Sequence, residues 1–82
     1  MWYVYMLVCD EKHFYVGTTD NLEKRLKEHR EGHSYFTKGY KNIELAYQEW
    51  HPTKLSAEKR EKQLNKLGGA EKNKLANKRE NP

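Results

Sequence analysis

A single cysteine, Cys9, stands among the 82 residues, so no disulfide can close within the chain and no cysteine-clustered zinc site can be built. That usage is expected of a reducing compartment. Nor does any run approach the roughly eighteen continuous apolar residues that a membrane helix requires. The opening stretch Met-Trp-Tyr-Val-Tyr-Met-Leu-Val-Cys has neither the basic leader nor the small-residue cleavage site of a signal peptide. The expectation is a cytoplasmic protein with no membrane association. At this length one domain is expected, over residues 1–79 with a frayed tail at 80–82. A domain this small buries only about 60 % of its unfolded surface. The ten aromatic residues are therefore expected to supply much of a lean core.

Charge is the next feature. Sixteen Lys and Arg against twelve Asp and Glu leave a net charge of +4, which many small domains carry for solubility alone. Residues 59–66 and 72–79 hold four bases each and one acid between them. Such runs are read either as solvated helix faces or as a surface that meets phosphate.

Residues 2–9 have the aromatic and β-branched content of a strand, Asp10-Glu11-Lys12-His13 is polar and turn-like, and Phe14-Tyr15-Val16 resumes the strand. Two such runs with a short connection predict an antiparallel hairpin. Gly17 ends the second run, where a residue without Cβ lets the chain turn or lets a ligand approach closely. A helix is expected next, capped by Asp20 with Glu23 in a capping box, and with Leu22, Leu26 and His29 on one face. Gly32 marks its end, and residues 32–42 read as a loop. Ile43, Leu45 and Tyr47 alternate with Glu44, Ala46 and Gln48, which predicts a third strand with one buried face. After Pro52, Thr53 or Ser56 caps a second helix to about Leu67, with Ala57, Glu61, Leu64 and Leu67 along one stripe. Gly68-Gly69 then breaks the chain before a short basic helix over 70–79. The expected fold is α/β of the α+β kind, with a small three-stranded antiparallel or mixed sheet flanked by helices in the order ββ-α-β-α-α.

Within that frame Tyr5, Tyr15, Arg25 and Glu61 stand out. Tyr5 and Tyr15 lie on strands expected to pair, Arg25 borders the Leu22/Leu26 stripe, and Glu61 shares a stripe with Ala57 and Leu64, a costly place for an unpaired carboxylate. These residue types suit phosphodiester hydrolysis. A carboxylate can hold Mg²⁺ with several waters, the ion acidifies water and neutralises phosphate, and arginine forks onto non-bridging oxygens. A tyrosine hydroxyl can orient or deprotonate the attacking water if the site lowers its pKa. Each residue also has a plainer reading: core packing for the tyrosines, an ion pair with Glu28 for Arg25, and a helix-surface pair with Arg60, Lys62 or Lys66 for Glu61. Both stay open on periodicity alone.

Tyr3-Val4-Tyr5, with Tyr5 ten residues before the Tyr15 of Tyr15-Val16-Gly17, resembles the paired triplets that name the GIY-YIG nuclease superfamily. Asn21-Leu22-Glu23-Lys24-Arg25, with Arg25 eight positions after Gly17, resembles that family's arginine-bearing helix. The run from Ser56 to Leu64 resembles its glutamate-bearing helix. From Trp2 to about Leu75 the chain is similar to the small bacterial stand-alone GIY-YIG domain proteins of the UPF0213-like kind, a largely uncharacterised group. The resemblance implies a metal-dependent endonuclease acting on DNA phosphodiester bonds, with a part in DNA repair or recombination. It assigns Tyr5 and Tyr15 as GIY and YIG tyrosines, one of them base or water-orienting group, Arg25 as transition-state stabiliser, and Glu61 as ligand to one Mg²⁺ or Mn²⁺ ion. His29, one turn past Arg25, matches a histidine of the small-protein branch and is read either as a proton donor or as packed against the sheet.

Departures from the pattern are Tyr3 for glycine, Val16 for isoleucine, and Thr18 where some members carry lysine. No accessory DNA-binding domain accompanies the match, so a protein partner supplying specificity enters the expectations, and the DNA can be branched or single-stranded. Candidate nucleic-acid contacts are Gly17, Tyr35, Lys38, Lys41 and Arg60. Tyr35, Phe36 and Tyr40 with the interleaved lysines either stack on bases or fold over their own aromatics. His13, His29, His33 and His51 form no metal-ligand spacing and are read as surface histidines, and Trp50 is expected in the core or an interface. Two alternatives to the nuclease remain. One is a nucleic-acid-binding module that keeps the fold and cuts weakly or only with a partner. The other is a protein-interaction domain with its basic surface against an acidic partner.

Overall fold

A computed structural model describes the backbone of residues 1–80 and the side chains of residues 1–76. Strand β1 (Trp2–Cys9) and strand β2 (His13–Thr19) form the expected hairpin, followed by helix α1 (Leu22–Arg30), strand β3 (Ile43–His51) and helices α2 (Lys54–Asn65) and α3 (Gly69–Glu80). The three strands make one antiparallel sheet in the order β2-β1-β3. Except for the Glu80 that ends α3, the tail expected at 80–82 lies outside the described residues. Among the described residues no helix is long and apolar enough to cross a membrane.

The period-2 alternation of β1 distributes its side chains between two cores. Val4 and Met6 pack with Val16, Ala57 and Leu64 under α2, with Leu67, Leu75 and Ala76 of the C-terminal segment alongside. Tyr5, Leu7 and Cys9 pack with Ile43 on the opposite face, where Leu22 and Leu26 of α1 cover them. The central strand is thus buried on both sides, and α1 is separated from α2 and α3 by the thickness of the sheet.

Two expectations about this framework are corrected. The cap of α1 is Asn21, not Asp20: its extended backbone (φ −140°, ψ 90°) and its side-chain oxygen, accepting from the Lys24 N–H at 3.1 Å, start the helix one residue later. Thr19 helps by accepting from the Asn21 N–H at 3.1 Å. On β3 the alternation does not keep one face. Leu7 pairs with Leu45 but Met6 with Tyr47, so Ala46 is an extra residue in a β-bulge. Ile43 and Leu45 therefore face α1, while Tyr47 packs on the α2 side. The core takes in only part of the aromatic set. Tyr5 is fully buried and Trp2, Phe14, Tyr15, Tyr40 and Tyr47 pack partly buried against the two clusters, whereas Tyr35, Phe36 and Trp50 are exposed. Thr53, by contrast, caps α2 as expected, accepting from the Ser56 N–H at 3.1 Å.

The hairpin turn has a tertiary role. Asp10 and Glu11 take left-handed φ values of 50° and 65°, which aspartate tolerates better than most residues because its short polar side chain bonds locally. The Asp10 carboxylate accepts from the backbone N–H groups of Lys41 (3.0 Å) and Asn42 (2.8 Å). Its own N–H donates to the Asn42 carbonyl at 2.7 Å. One residue of the turn so fixes the far end of the 32–42 loop to the sheet. Asp10→Ala is expected to lower stability by on the order of 1–2 kcal/mol in urea melts, whereas Asp10→Asn, which keeps an acceptor and tolerates the turn, should lose less than half of that.

Candidate active site

Tyr5 points from the middle of β1 into the α1 side of the sheet and is fully buried. A buried hydroxyl needs partners, and α1 supplies two from adjacent turns. The Tyr5 Oη lies 2.9 Å from His29 Nε2, and Arg25 Nε donates to it at 3.4 Å. His29 is itself fully buried, and its Nδ1 lies 2.7 Å from the Thr37 Oγ1. Because arginine is a donor only, the Tyr5 oxygen accepts from Arg25, and the two ring nitrogens of His29 link Tyr5 to Thr37. The chain thus runs Arg25, Tyr5, His29, Thr37, from the half-exposed surface of α1 to the buried floor of the following loop.

Electrostatics follow from this placement. Burial pushes the Tyr5 phenol up to about 12; Arg25 opposes the rise and Tyr15 adds to it. The lowering that a base role requires is not met at Tyr5, which is neutral at ordinary pH. Burial, then the nearby Arg25 charge, also depresses the His29 pKa, against a weaker upward pull from Glu28. Both effects favour the neutral imidazole at His29.

Gly17 stands opposite Tyr5 on β2. A Cβ there would lie 2.6 Å from Tyr5 Oη, 2.8 Å from its Cζ and 3.1 Å from Tyr15 Cε2. The glycine is where two phenols cross the strand, and its backbone φ plays no part. Tyr15 is half-buried, 5.2 Å from the His29 ring and stacked on Phe36 at 5.6 Å. Beside Arg25 a groove of about 290 Å³ is lined by Trp2, Thr18, Thr19, Asp20, Asn21, Lys24 and Glu28. Arg25 Nη1 also pairs with Glu28 at 3.4 Å, the ion pair that the plainer reading of this arginine expected.

The structure brings Tyr5, Tyr15, Gly17, Arg25 and His29 together. It does not join Glu61 to them by any hydrogen bond or ion pair. Glu61 is half-buried on α2, the helix of the other face, and its carboxylate has no such partner among the described residues. Arg60 does not present a free guanidinium: its Nε donates to Glu49 at 2.8 Å and its Nη1 to Gln63 at 3.1 Å. Lys38, Lys41 and Tyr35 are exposed on the 32–42 loop. Trp50 is exposed rather than in the core, and of the histidines read as surface residues His29 is fully buried and His51 half-buried.

Sequence reasoning missed two groups. Thr37 and Ser34 are buried polar residues of the loop, and no periodicity marks them. The other is a network around Glu49, which accepts from Arg60, from Tyr47 and, at 2.9 Å, from His51 Nε2, while His51 Nδ1 lies 2.7 Å from Ser56 Oγ. Burial alone would raise the Glu49 pKa, but hydrogen bonds from Tyr47, His51 and Arg60 outweigh it and hold the carboxyl low. The alternation Tyr47, Glu49, His51 was its available signal.

The model of the GIY-YIG catalytic domain family matches residues 1–76. The chain belongs to the GIY-YIG family. Among its relatives, a UPF0213 protein of Clostridium perfringens is 41 % identical over 66 residues, covering 79 % of this chain and 71 % of the relative. A UPF0213 protein of Syntrophus aciditrophicus is 40 % identical over 72 residues, covering 85 % and 83 %. The solution structure of the UPF0213 protein BH0048 from Bacillus halodurans is similar to this fold, with a TM-score of 0.60 and 28 % identity over 100 % of this chain and 89 % of that one. The GIY-YIG domain places the chain in a nuclease-type family whose members generally use divalent metal ions.

Two outcomes follow from the site's packing. Gly17→Ala should cost about 1–3 kcal/mol in urea melts, because neither phenol can swing away without breaking the core, and the His29 ring signals should shift in NMR spectra. Stability should also fall with pH. His29 has a lower pKa folded than unfolded (about 6.5), so the unfolded chain binds more protons below that value, and stability is lost as pH drops from about 6.5 toward the folded pKa. Urea midpoints at pH 7.5 and 5.5 check this; in His29→Gln that part of the slope should vanish.

Proposed function

We propose that this GIY-YIG domain hydrolyses DNA phosphodiester bonds with one divalent ion, Mg²⁺ or Mn²⁺. The observation that carries the reading is the Arg25–Tyr5–His29–Thr37 chain, which holds a cation at the edge of a groove with Tyr15 and Gly17 beside it. Arg25 keeps its guanidinium half-exposed there while Nε is tied to Tyr5, so the fork is aimed before a phosphate arrives and little reorganisation remains at the reaction.

Roles divide by exposure. Tyr5, sealed and neutral, positions Arg25 and His29; Tyr15, half-exposed, orients the attacking water against the phosphate. His29 keeps Tyr5 in place and is not assigned a proton to the leaving group. Lys24, Thr18 and Thr19 line the groove where a phosphate would sit against Arg25. Glu61 fits the metal on the chemistry of its donor set. Among the described residues no group of three acidic, histidine or cysteine side chains could hold an ion, and a lone unpartnered carboxylate suits a hard cation that keeps most of its water. When bound, the ion supplies charge neutralisation and a more acidic water.

One observation favours the second reading, a nucleic-acid-binding module that cuts weakly or only with a partner. Glu61 stands on α2, across the sheet from the helix that carries Arg25. The test is cleavage of branched, single-stranded and duplex DNA with Mg²⁺, Mn²⁺ or EDTA. Metal-dependent cutting is expected, reduced at least about 100-fold in Arg25→Ala and abolished in Glu61→Ala with folding intact. Salt-sensitive binding with no cutting on any substrate would select the binding module instead.

A further inference from the structure

The loop between α1 and β3 has its burial pattern inverted. Ser34 and Thr37, polar residues, are buried at 6 % and 1 % exposure, while Tyr35 and Phe36 between them are 87 % and 69 % exposed. The inversion is held by bonds rather than left to a floppy segment. Thr37 Oγ1 pairs with the buried His29, the Lys38 N–H donates to the Ser34 carbonyl at 2.9 Å, and the far end is pinned by Asp10 at Lys41 and Asn42. The chain so keeps two aromatic rings in water on a loop held at Thr37 and at Lys41 and Asn42.

The rings have a definite arrangement. One face of Phe36 stacks on Tyr15 with an interplanar angle of 26°, and Tyr35 meets Phe36 edge-on at 88° with centroids 5.8 Å apart. Tyr15 in turn lies against His29. The outer side of Phe36 is thus a flat aromatic shelf with a second ring at its border, one ring removed from the candidate active site. Residues 32–42 carry Lys38 and Lys41 and no acid of their own, and the Asp10 carboxylate at the loop's far end is taken up by the Lys41 and Asn42 N–H groups, so the loop's own charge suits a polyanion.

We propose that Tyr35 and Phe36 form a stacking subsite for one unpaired nucleobase of the nucleic acid whose phosphate lies at Arg25. This rests on the nucleic-acid reading above and adds to it the residues that choose where along the strand the chain settles. A planar base fits the shelf, because every base offers a π-face and an aromatic platform takes it without hydrogen-bond readout. The backbone on either side then meets Lys38 and Lys41. A base still paired in a duplex cannot insert its face there, so the subsite selects positions where a nucleotide is splayed out.

Binding in EDTA tests this without any demand on cutting. Labelled oligonucleotides carrying a single abasic residue, stepped along the strand, are titrated against the intact chain and against Phe36→Ala, Phe36→Leu and Tyr35→Ala. One abasic position should weaken binding by roughly 5- to 150-fold, the range for loss of one stacked base. Phe36→Ala should weaken binding to the unmodified strand by a similar factor and should no longer sense that abasic position. Phe36→Leu, which keeps apolar bulk over Tyr15, should fold and lose the same sensitivity. Full abasic sensitivity retained in Phe36→Ala and Phe36→Leu overturns the subsite, as does equally tight binding of perfect duplex and of DNA with an unpaired nucleotide. Self-association lost in Phe36→Ala with DNA binding unchanged assigns the shelf to a second copy and also overturns it. Absence of cutting with Mg²⁺ while the abasic coupling persists sinks the nuclease reading alone; cutting that survives with no coupling sinks the subsite alone.

Discussion

The hydroxyl of Tyr5 is a polar group in the middle of a strand that is buried on both sides, and leaving it unpaired would cost about 1–3 kcal/mol. Its partners come from consecutive turns of α1, so the hydrogen bonds do more than satisfy an atom. Helix α1 has a short apolar stripe: Leu22 and Leu26 are only partly buried, and the one fully buried residue of the helix is His29. The rotation of α1 about its axis is therefore decided largely by Arg25 and His29 reaching Tyr5. Thr37 extends the same constraint to the loop, and Gly17 admits it by leaving the opposite strand without a side chain.

Much of this was legible in the sequence. The order ββ-α-β-α-α follows from strand composition, turn residues and helix stripes, and the positions of Tyr5, Tyr15, Gly17 and Arg25 on neighbouring elements follow from the hairpin and the first helix. The errors have local causes. Asp20 and Asn21 are both good caps, and only the backbone conformation at Asn21 separates them. A bulge of one residue at Ala46 leaves no mark in a pattern of alternation that continues on either side of it. Thr37 and Ser34 lie in a loop, where burial is set by partners distant in sequence. The roles of Tyr35 and Phe36 were open for the same reason, since an aromatic pair among glycines and lysines can turn inward or outward.

The two faces of the sheet divide the polar chemistry. On the α1 side the chain from Arg25 to Thr37 holds a neutral histidine and a neutral phenol. On the α2 side Glu49 collects Arg60, His51 and Tyr47, so a carboxylate and a guanidinium that would otherwise be loose are committed to fastening α2 onto β3. That commitment separates two neighbours in sequence. Arg60 is held, whereas Glu61, the next residue, keeps a carboxylate without a partner among the described residues. An acid left free beside strongly paired groups is open to an ion, and it is the residue on which the metal-dependent reading turns.

The bulge at Ala46 bears on more than side-chain placement. β3 lies at one side of the sheet, so among the described residues no further strand runs along its outer border. A long regular row of backbone donors and acceptors on such a border is a template on which another chain can add itself as a strand, the first step of aggregation. The inserted residue breaks the regular spacing of that row and bends the strand, and Pro52 follows directly beyond its end. The irregularity that redirects Tyr47 toward α2 thus also makes this border a poorer mate for a second strand.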